Sequence, residues 1–214
     1  SVTKSCVDSV YDIFKTEIFK VRHTWNADGK LVNLANGVLR CDPGCATLEP
    51  HRREYYHNVQ IPIKYDPATP PHTKWQAFLE SIWPKDPESI SALQEFIGYL
   101  ITQDTSQQKI LMLVGPKRSG KGTIGRLLIK LLGQHNVCGP TLSSLQGDFG
   151  LQPLINKTLA IISDARLGSR AEQQIIVERL LSISGEDTLT VHRKYLEALT
   201  GKLNTRFLIM TNEL

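Results

Sequence analysis

The feature that most constrains this chain is a glycine-rich loop between a strand pattern and a helix pattern. The apolar run KILMLV predicts a strand over residues 109–114, GPKRSGKGT follows over residues 115–123, and an amphipathic pattern continues to Gly133. A strand, loop and helix in this order direct backbone N–H groups and the positive end of the helix dipole at one point. The stretch therefore predicts a phosphate-binding loop of the Walker A type.

Each position of this loop has an expected role. Gly115 and Gly120 permit the backbone angles, and Lys121 is expected to neutralise phosphate oxygens. Gly122 departs from the usual pattern, because a hydroxyl that binds magnesium normally stands there. We expect Thr123 to take over the hydroxyl role while a water replaces the missing ligand. The predicted nucleotide-binding residues are Gly115, Pro116, Lys117, Arg118, Ser119, Gly120, Lys121, Gly122 and Thr123.

The alternative for this stretch is a glycine-rich turn that caps a core helix. That alternative does not explain a lysine at the start of the helix, where the dipole disfavours a cation. Lys117 and Arg118 could be solvent-facing and have no further role.

Two later strand patterns end in polar side chains that suit the same chemistry. TLAIISDAR predicts a strand that leads to Asp164, whose carboxylate can hold magnesium directly or through water. NTRFLIMTN predicts a strand that ends at Asn212, whose amide can orient an attacking water or sense the terminal phosphate. A turn-forming role is open for both. No second acid follows Asp164, so the water is activated by Asp164 itself or with help from Glu186 or Asp187.

The order of these patterns predicts two parts with a boundary near Asp104. Helical periods dominate residues 1–104, with short strands and turns between them. Residues 105–214 alternate strand, helix, strand, helix and strand, which indicates an α/β fold with a central parallel sheet.

A basic stretch, GEDTLTVHRKYLEALTGKLNTR, precedes the last strand and predicts a hairpin or loop. It is either solvated or contacts a nucleic-acid backbone through basic residues. Tyr195 could stack on a base, although packing against a neighbouring side chain is the commoner role. The basic side chains are His192, Arg193, Lys194, Lys202 and Arg206, of which Arg193, Lys194 and Lys202 are the candidate DNA contacts.

Composition adds weaker constraints. The net charge of +4 and the isoelectric point near 8.9 permit a polyanionic partner without requiring one. No apolar stretch reaches the roughly 18 residues of a membrane span, and no signal peptide is recognisable. Four scattered cysteines favour a reducing compartment. Cys41, Cys45, His51 and His57 have poor spacing for zinc. The absence of an initial Met, and an end directly after a strand pattern, suggest a fragment.

Several segments together resemble the phage/plasmid primase–helicase family. The members of this family are superfamily 3 helicases of the AAA+ class. They are NLANGVL, EYYHNVQIPIKYDP, LQEFIGYLITQDTSQQKILMLVGPKRSGKGT, LAIISDAR, LLSISGEDTLTVHRKYLEALTGKL and TRFLIMTNEL, in the right order over residues 30–214.

The resemblance implies a mainly helical accessory domain (residues 1–104) before an AAA+ P-loop ATPase core (residues 105–214). It implies hydrolysis of ATP with Mg²⁺, movement on single-stranded or forked DNA, a hexameric ring of the full-length protein and a primase module upstream. The setting would be the cytoplasm of a bacterial cell, with a phage or mobile element encoding the protein and no membrane partner.

By position, Lys121 and Thr123 match the first nucleotide motif of the family, Asp164 the second and Asn212 the sensor. Thr123 and Asp164 are the candidate metal residues, and Lys121, Asp164 and Asn212 the candidate catalytic residues. Residues 185–202 match the motif that places a basic hairpin in the DNA channel.

Two departures from the family stand out. The second motif has one acid where two are common, and the chain stops before the segment that normally supplies an arginine finger. Arg166, Arg170 and Arg179 are the nearest candidates for that role.

Two other functions are open at this stage. SGKGT also resembles nucleoside monophosphate kinases, although these carry the loop at the extreme N-terminus. A DNA-binding or initiation module that uses ATP only for assembly is the second alternative.

Overall fold

The computed structural model describes residues 3–18, 24–163 and 170–212. The helices are α1 (Lys4–Ile18), α2 (Thr73–Ile82), α3 (Pro87–Ile101), α4 (Lys121–Leu132) and α5 (Arg170–Ser184). The strands are β1 (Leu31–Leu34), β2 (Gly37–Asp42), β3 (Cys45–Glu49), β4 (Leu111–Val114), β5 (Val137–Cys138), β6 (Leu159–Ile162), β7 (Leu189–Arg193), β8 (Leu196–Gly201) and β9 (Arg206–Thr211). None of the described helices is long and apolar enough to cross a bilayer.

The first sheet is an antiparallel meander in the order β1-β2-β3. Its two connections lie directly before Gly37 and at Gly44. Gly37 has φ +153°, and a β-carbon there would lie 2.5 Å from the carbonyl oxygen of Glu49. The close approach of β3 therefore requires glycine at this position.

The second sheet is parallel and has the order β4-β9-β6-β5. The parallel α/β architecture that the sequence predicts is thus confirmed. Strands β6 and β9 are apolar and buried almost throughout, which is typical of strands covered on both faces. The last strand in the sequence, β9, lies between β4 and β6, so the carboxyl ends of these three strands meet at one edge of the sheet.

Two apolar clusters cover the faces of this sheet. One joins side chains of α2, α3 and α4 and of the meander to β4 and β9, with Leu79, Leu100 and Leu128 fully buried. The other packs α5 and the short loops before β6 against the opposite face, around Phe207. Residues on both sides of Asp104 share the first cluster, so α2 and α3 are fixed against the sheet. The domain boundary near Asp104 stays a prediction.

Helix α3 begins as its sequence indicates. The Asp86 carboxylate caps it by accepting hydrogen bonds from the Ser89 backbone N–H at 3.0 Å and from the Ser89 hydroxyl at 2.6 Å. These bonds hold the pKa of Asp86 below its usual range. Pro87 follows at the first helical position, where its missing N–H costs nothing.

The helical period of α1 predicts the helix correctly, yet its apolar side is exposed. Val7, Val10, Ile13 and Phe14 are each more than half exposed to solvent. The period of apolar residues identifies a helix face, but it does not identify what that face packs against.

Candidate functional site

The glycine-rich loop connects β4 to α4 at the carboxyl edge of the parallel sheet. The Gly115 N–H donates to the carbonyl oxygen of Thr211 at 3.3 Å, which continues the pairing of β4 with β9 into the loop. Arg118 and Gly120 have φ of +66° and +89°. These angles turn the chain so that α4 begins at Lys121, as predicted. The helix also ends as predicted, with Gly133 in a positive-φ conformation.

The side chain of Lys121 lies within the curve of the loop. Its Nζ atom is 2.5 Å from the Gly115 carbonyl oxygen, 2.9 Å from that of Pro116 and 3.2 Å from the Ser119 Oγ. The ammonium group is thus held by neutral oxygens. A phosphate at the start of α4 would offer it charged acceptors, which make stronger hydrogen bonds.

Thr123 and Gly122 occupy the first turn of α4. The Thr123 Oγ1 accepts a hydrogen bond from the Arg126 Nη2 at 3.1 Å. Gly122 borders a cavity of about 300 Å³ that extends to Ser163, the residue after β6, and to Met210 on β9. Outside the backbone of its own helix, a β-carbon at Gly122 would meet the Arg126 Nη1 at 3.4 Å. The space that a hydroxyl side chain would need at this position is therefore present.

A cleft of about 690 Å³ opens over the loop. Its walls bring together the predicted loop residues 117–123, which include Lys121 and Thr123 of α4, and Asn212 from the end of β9. Lys117 and Arg118 are exposed at its margin. The full lining is Phe78, Ser81, Ile82, Lys117, Arg118, Ser119, Gly120, Lys121, Gly122, Thr123, Arg126 and Asn212.

Four lining residues have no predicted role in the sequence analysis: Phe78, Ser81, Ile82 and Arg126. Arg126 could have been found, because it lies three residues after Thr123 and therefore on the same side of a helix. The three residues of α2 gave no such signal, since their period indicates only an apolar helix face.

The candidate carboxylates differ in how far the structure describes them. Asp164 lies outside the described residues, although β6 and Ser163 lead directly to it. Glu186 is at the base of the β7–β8 hairpin, where its Oε1 accepts hydrogen bonds from Lys202 and Thr105. These contacts, with Lys202 first, hold the pKa of Glu186 below its usual range. Neither Glu186 nor Asp187 is among the described residues that line the cleft, and the role of Asp164 stays a prediction.

The predicted basic hairpin is present as β7 and β8, which pair antiparallel around Lys194 and Tyr195. The Tyr195 ring is 91% exposed, and the Lys194 Nζ lies 5.2 Å from its centre. The Arg193 Nε donates to the Glu197 carbonyl oxygen at 2.7 Å. Lys202 lies at the opposite end of the hairpin, in the ion pair with Glu186. Of the three candidate DNA contacts, Arg193 and Lys194 therefore lie at the turn of the hairpin, and Lys202 lies at its opposite end.

Arg206 corrects one expectation, because it is not part of the basic surface. Its side chain is 3% exposed and donates to the carbonyl oxygens of Thr102 and Asp104. The guanidinium also lies 4.8 Å from the centre of the Tyr99 ring. Burial lowers its pKa. The reason is its position at the start of β9, a central strand in which residues 206–210 are all buried.

Of the three arginine candidates for a finger, Arg179 is the one whose side chain the structure describes. Arg179 donates to the carbonyl oxygens of Leu145 and Gly147 in its own chain, so its guanidinium is already engaged. Arg166 lies outside the described residues, as does the side chain of Arg170. Within residues 3–18, 24–163 and 170–212, no three His, Cys, Asp or Glu side chains form a group suited to a metal ion.

Two family models match parts of the chain. Residues 1–84 match "D5 N terminal like", and residues 113–214 match a family of unknown function, DUF5906. No curated protein matches the chain by sequence.

Comparison with solved structures identifies the architecture. An apo structure of the NrS-1 C-terminal region superposes with a TM-score of 0.62 at 16% identity, over 96% of this chain and 48% of that one. This chain has the same fold as the matched half of the NrS-1 C-terminal region. A second structure of the NrS-1 C-terminal region, residues 305–718, gives 0.61 at 18% identity with the same coverage. This chain thus spans about half the length of the NrS-1 structures.

A JCV helicase structure with a bound thiazolopyridine acetamide gives a TM-score of 0.44 at 18% identity, over 63% of this chain and 38% of that one. A score at that level is too low to support an inference about this chain.

Proposed function

We propose that this chain is the ATP-hydrolysing part of a replicative DNA helicase of the phage/plasmid primase–helicase type. The observation that carries the proposal is the position of β9 between β4 and β6. That order brings the glycine-rich loop, Asn212 and the approach to Asp164 to one edge of the sheet. Ligands of open α/β sheets bind at this edge, beyond the carboxyl ends of the strands. The primase–helicase resemblance and the "D5 N terminal like" match support the same function.

In this proposal the loop residues bind the triphosphate. Backbone N–H groups at the start of α4 would receive its oxygens, and Lys121 would exchange the Gly115 and Pro116 carbonyl oxygens for them. Asn212, on the wall of the same cleft, would face the terminal phosphate and hold a water in line with it.

The residues present fit a magnesium ion that is held partly through water. Thr123 supplies a hydroxyl, and the cavity beside Gly122 has room for water molecules between α4 and Ser163. Asp164 would hold these waters from the end of β6. Mg²⁺, when bound with ATP, would neutralise charge on the phosphate oxygens. Thr123 would first have to release the hydrogen bond from Arg126.

The β7–β8 hairpin would contact single-stranded DNA. Its turn presents Tyr195 almost fully exposed, with the Lys194 ammonium beside the ring and Arg193 one position before. An exposed aromatic ring beside a cation can stack on a base while the neighbouring cations approach the phosphates. In a hexamer of the full-length protein, as the resemblance implies, six such turns would line a channel.

A second candidate function, nucleotide binding for assembly without unwinding, is favoured by one observation. The Gly122 position lacks the hydroxyl ligand of magnesium, and Thr123 is already bonded to Arg126. A site of this kind could bind ATP tightly and turn it over slowly.

The test combines binding, hydrolysis and unwinding. Lys121→Ala and Thr123→Ala are compared with Lys130→Ala, an exposed lysine in the last turn of the same helix. We expect the first two to lose affinity for a fluorescent ATP analogue and the third to keep it. Hydrolysis stimulated by single-stranded DNA separates this function from a nucleotide kinase. Strand displacement on forked DNA by the full-length protein separates it from the assembly module. Unchanged binding in both site variants would overturn the proposal.

A further inference from the structure

We propose that α2 forms the nucleoside side of the cleft, with the ring of Phe78 as the surface on which the base stacks. The inference rests on the proposed function, because it requires the phosphates at the loop. The inference adds a binding surface in α2, a helix that ends about thirty residues before β4, the first strand of the parallel sheet.

Helix α2 is in direct contact with the end of the loop. A β-carbon at Gly120 would lie 2.5 Å from the Ile82 Cδ1 and 3.3 Å from the Phe78 Cζ. The Ile82 and Phe78 side chains therefore pack directly against Gly120, the last residue of the loop before α4. No gap separates the loop from the helix at this point.

The cleft has two chemically different parts. One part consists of backbone N–H groups, Lys121 and Thr123, which suit phosphate. The other part is lined from α2 by Phe78, Ser81 and Ile82. A phosphate held at the start of α4 leaves the attached nucleoside to occupy the rest of the same cleft. Its volume of about 690 Å³ lies within the range of small-molecule sites.

The wall that α2 provides is mainly apolar and firmly held. Phe78 stacks on Trp75, with ring centres 5.5 Å apart and planes inclined by 27°. The fully buried Leu79 next to it anchors the helix in the core. The Ser81 hydroxyl donates to the Phe78 carbonyl oxygen at 2.7 Å, so it is turned toward the helix backbone. An aromatic face held in this way is what a nucleobase recognises by stacking.

The experiment separates the nucleoside from the phosphates. A fluorescent ATP analogue bound to the full chain is displaced either by ATP or by inorganic tripolyphosphate, which carries no base or ribose. The variants are Phe78→Ala and Lys121→Ala. Phe78→Leu retains apolar volume if the alanine variant folds poorly, and Phe149→Leu is the matched control, since Phe149 is 48% exposed and lies outside the cleft lining.

We expect Phe78→Ala to weaken the binding of ATP about tenfold and Phe78→Leu about threefold. The binding of tripolyphosphate should be unchanged in both variants. Lys121→Ala should weaken the binding of both competitors, and Phe149→Leu should weaken the binding of neither. ATP affinity within twofold of the parent chain in both Phe78 variants, with Lys121→Ala still defective, would overturn the inference and leave the proposed function intact. Failure of the parent chain to bind either competitor would overturn both.

Discussion

Ile82 lies against the glycine-rich loop at Gly120, where a β-carbon would come within 2.5 Å of the Ile82 Cδ1. Gly120 also has φ +89°, a conformation that side chains with a β-carbon rarely adopt. Glycine is thus required at this position for a backbone reason and for a packing reason. The contact connects a helix of the N-terminal half to the candidate nucleotide site.

Gly120→Ala should therefore destabilise the chain and abolish nucleotide binding. The left-handed backbone alone costs about 1–2 kcal/mol with a β-carbon, and the clash with Ile82 adds to it. The double variant Gly120→Ala/Ile82→Ala should recover only the steric part. Urea unfolding of the single and double variants measures the backbone and steric contributions to the loss of stability. If Gly120→Ala alone were as stable as the parent chain, that result would contradict the contact.

Gly122→Ser should be accepted by the fold. Gly122 lies in α4, and a β-carbon there would meet the Arg126 Nη1, at the end of a flexible side chain, at 3.4 Å. Serine is a better helix former than glycine, so stability should stay equal or rise by about 0.5 kcal/mol.

The same variant tests the role of Thr123. If Thr123 supplies the hydroxyl that Gly122 lacks, Thr123→Ala should reduce Mg²⁺-dependent ATP affinity strongly in the parent chain and weakly in the Gly122→Ser background. Titration of a fluorescent ATP analogue with and without Mg²⁺ measures this. Equal losses in the two backgrounds would show that the hydroxyls are not interchangeable.

Arg206→Ala should be strongly destabilising. The buried guanidinium donates to the Thr102 and Asp104 carbonyl oxygens, and its removal leaves them without this donor. We expect a loss of about 2–4 kcal/mol in the free energy of unfolding. Arg193→Ala on the exposed hairpin is the control and should change stability by less than about 0.5 kcal/mol.

Tyr195→Ala should weaken binding of single-stranded DNA without affecting stability, because the ring is 91% exposed. Loss of one stacked base corresponds to about 1–3 kcal/mol. Tyr11→Ala is a matched control, since Tyr11 is also exposed and has a lysine, Lys15, over its ring at 4.2 Å. Fluorescence anisotropy with labelled oligonucleotides compares the two, and equal effects would exclude the hairpin turn as the contact.

The Glu186–Lys202 ion pair predicts a dependence of stability on pH. Because the folded state lowers the pKa of Glu186, its contribution is present above the unfolded pKa, about 4.3, and is lost as the pH falls through the folded value. The stability difference between the parent chain and Glu186→Gln should therefore shrink from pH 6 toward about pH 3. Lys202→Met should show the same trend, and a difference that does not change with pH would contradict it.

The local elements of the site were predictable from the sequence. The glycine-rich loop, the start of α4 at Lys121 and its end at Gly133 follow from backbone preferences of neighbouring residues. The strand before Asp164, the strand before Asn212 and the hairpin around Tyr195 follow from apolar runs and turn residues. Each of these features depends on interactions within a few positions along the chain, which is why pattern and spacing suffice.

The sequence by itself determined the local elements and the residue types of the glycine-rich loop, whereas the tertiary structure decided which elements meet around it. Only the fold shows that β9 pairs with β4 and that α2 lines the cleft. Only the fold shows, too, that Arg206 is buried against Thr102, which lies 104 residues earlier in the sequence. Apolar periodicity defines the face of a helix or strand that must be buried, but many partners could satisfy that requirement. The choice among them depends on simultaneous packing of the whole core, which no local pattern encodes.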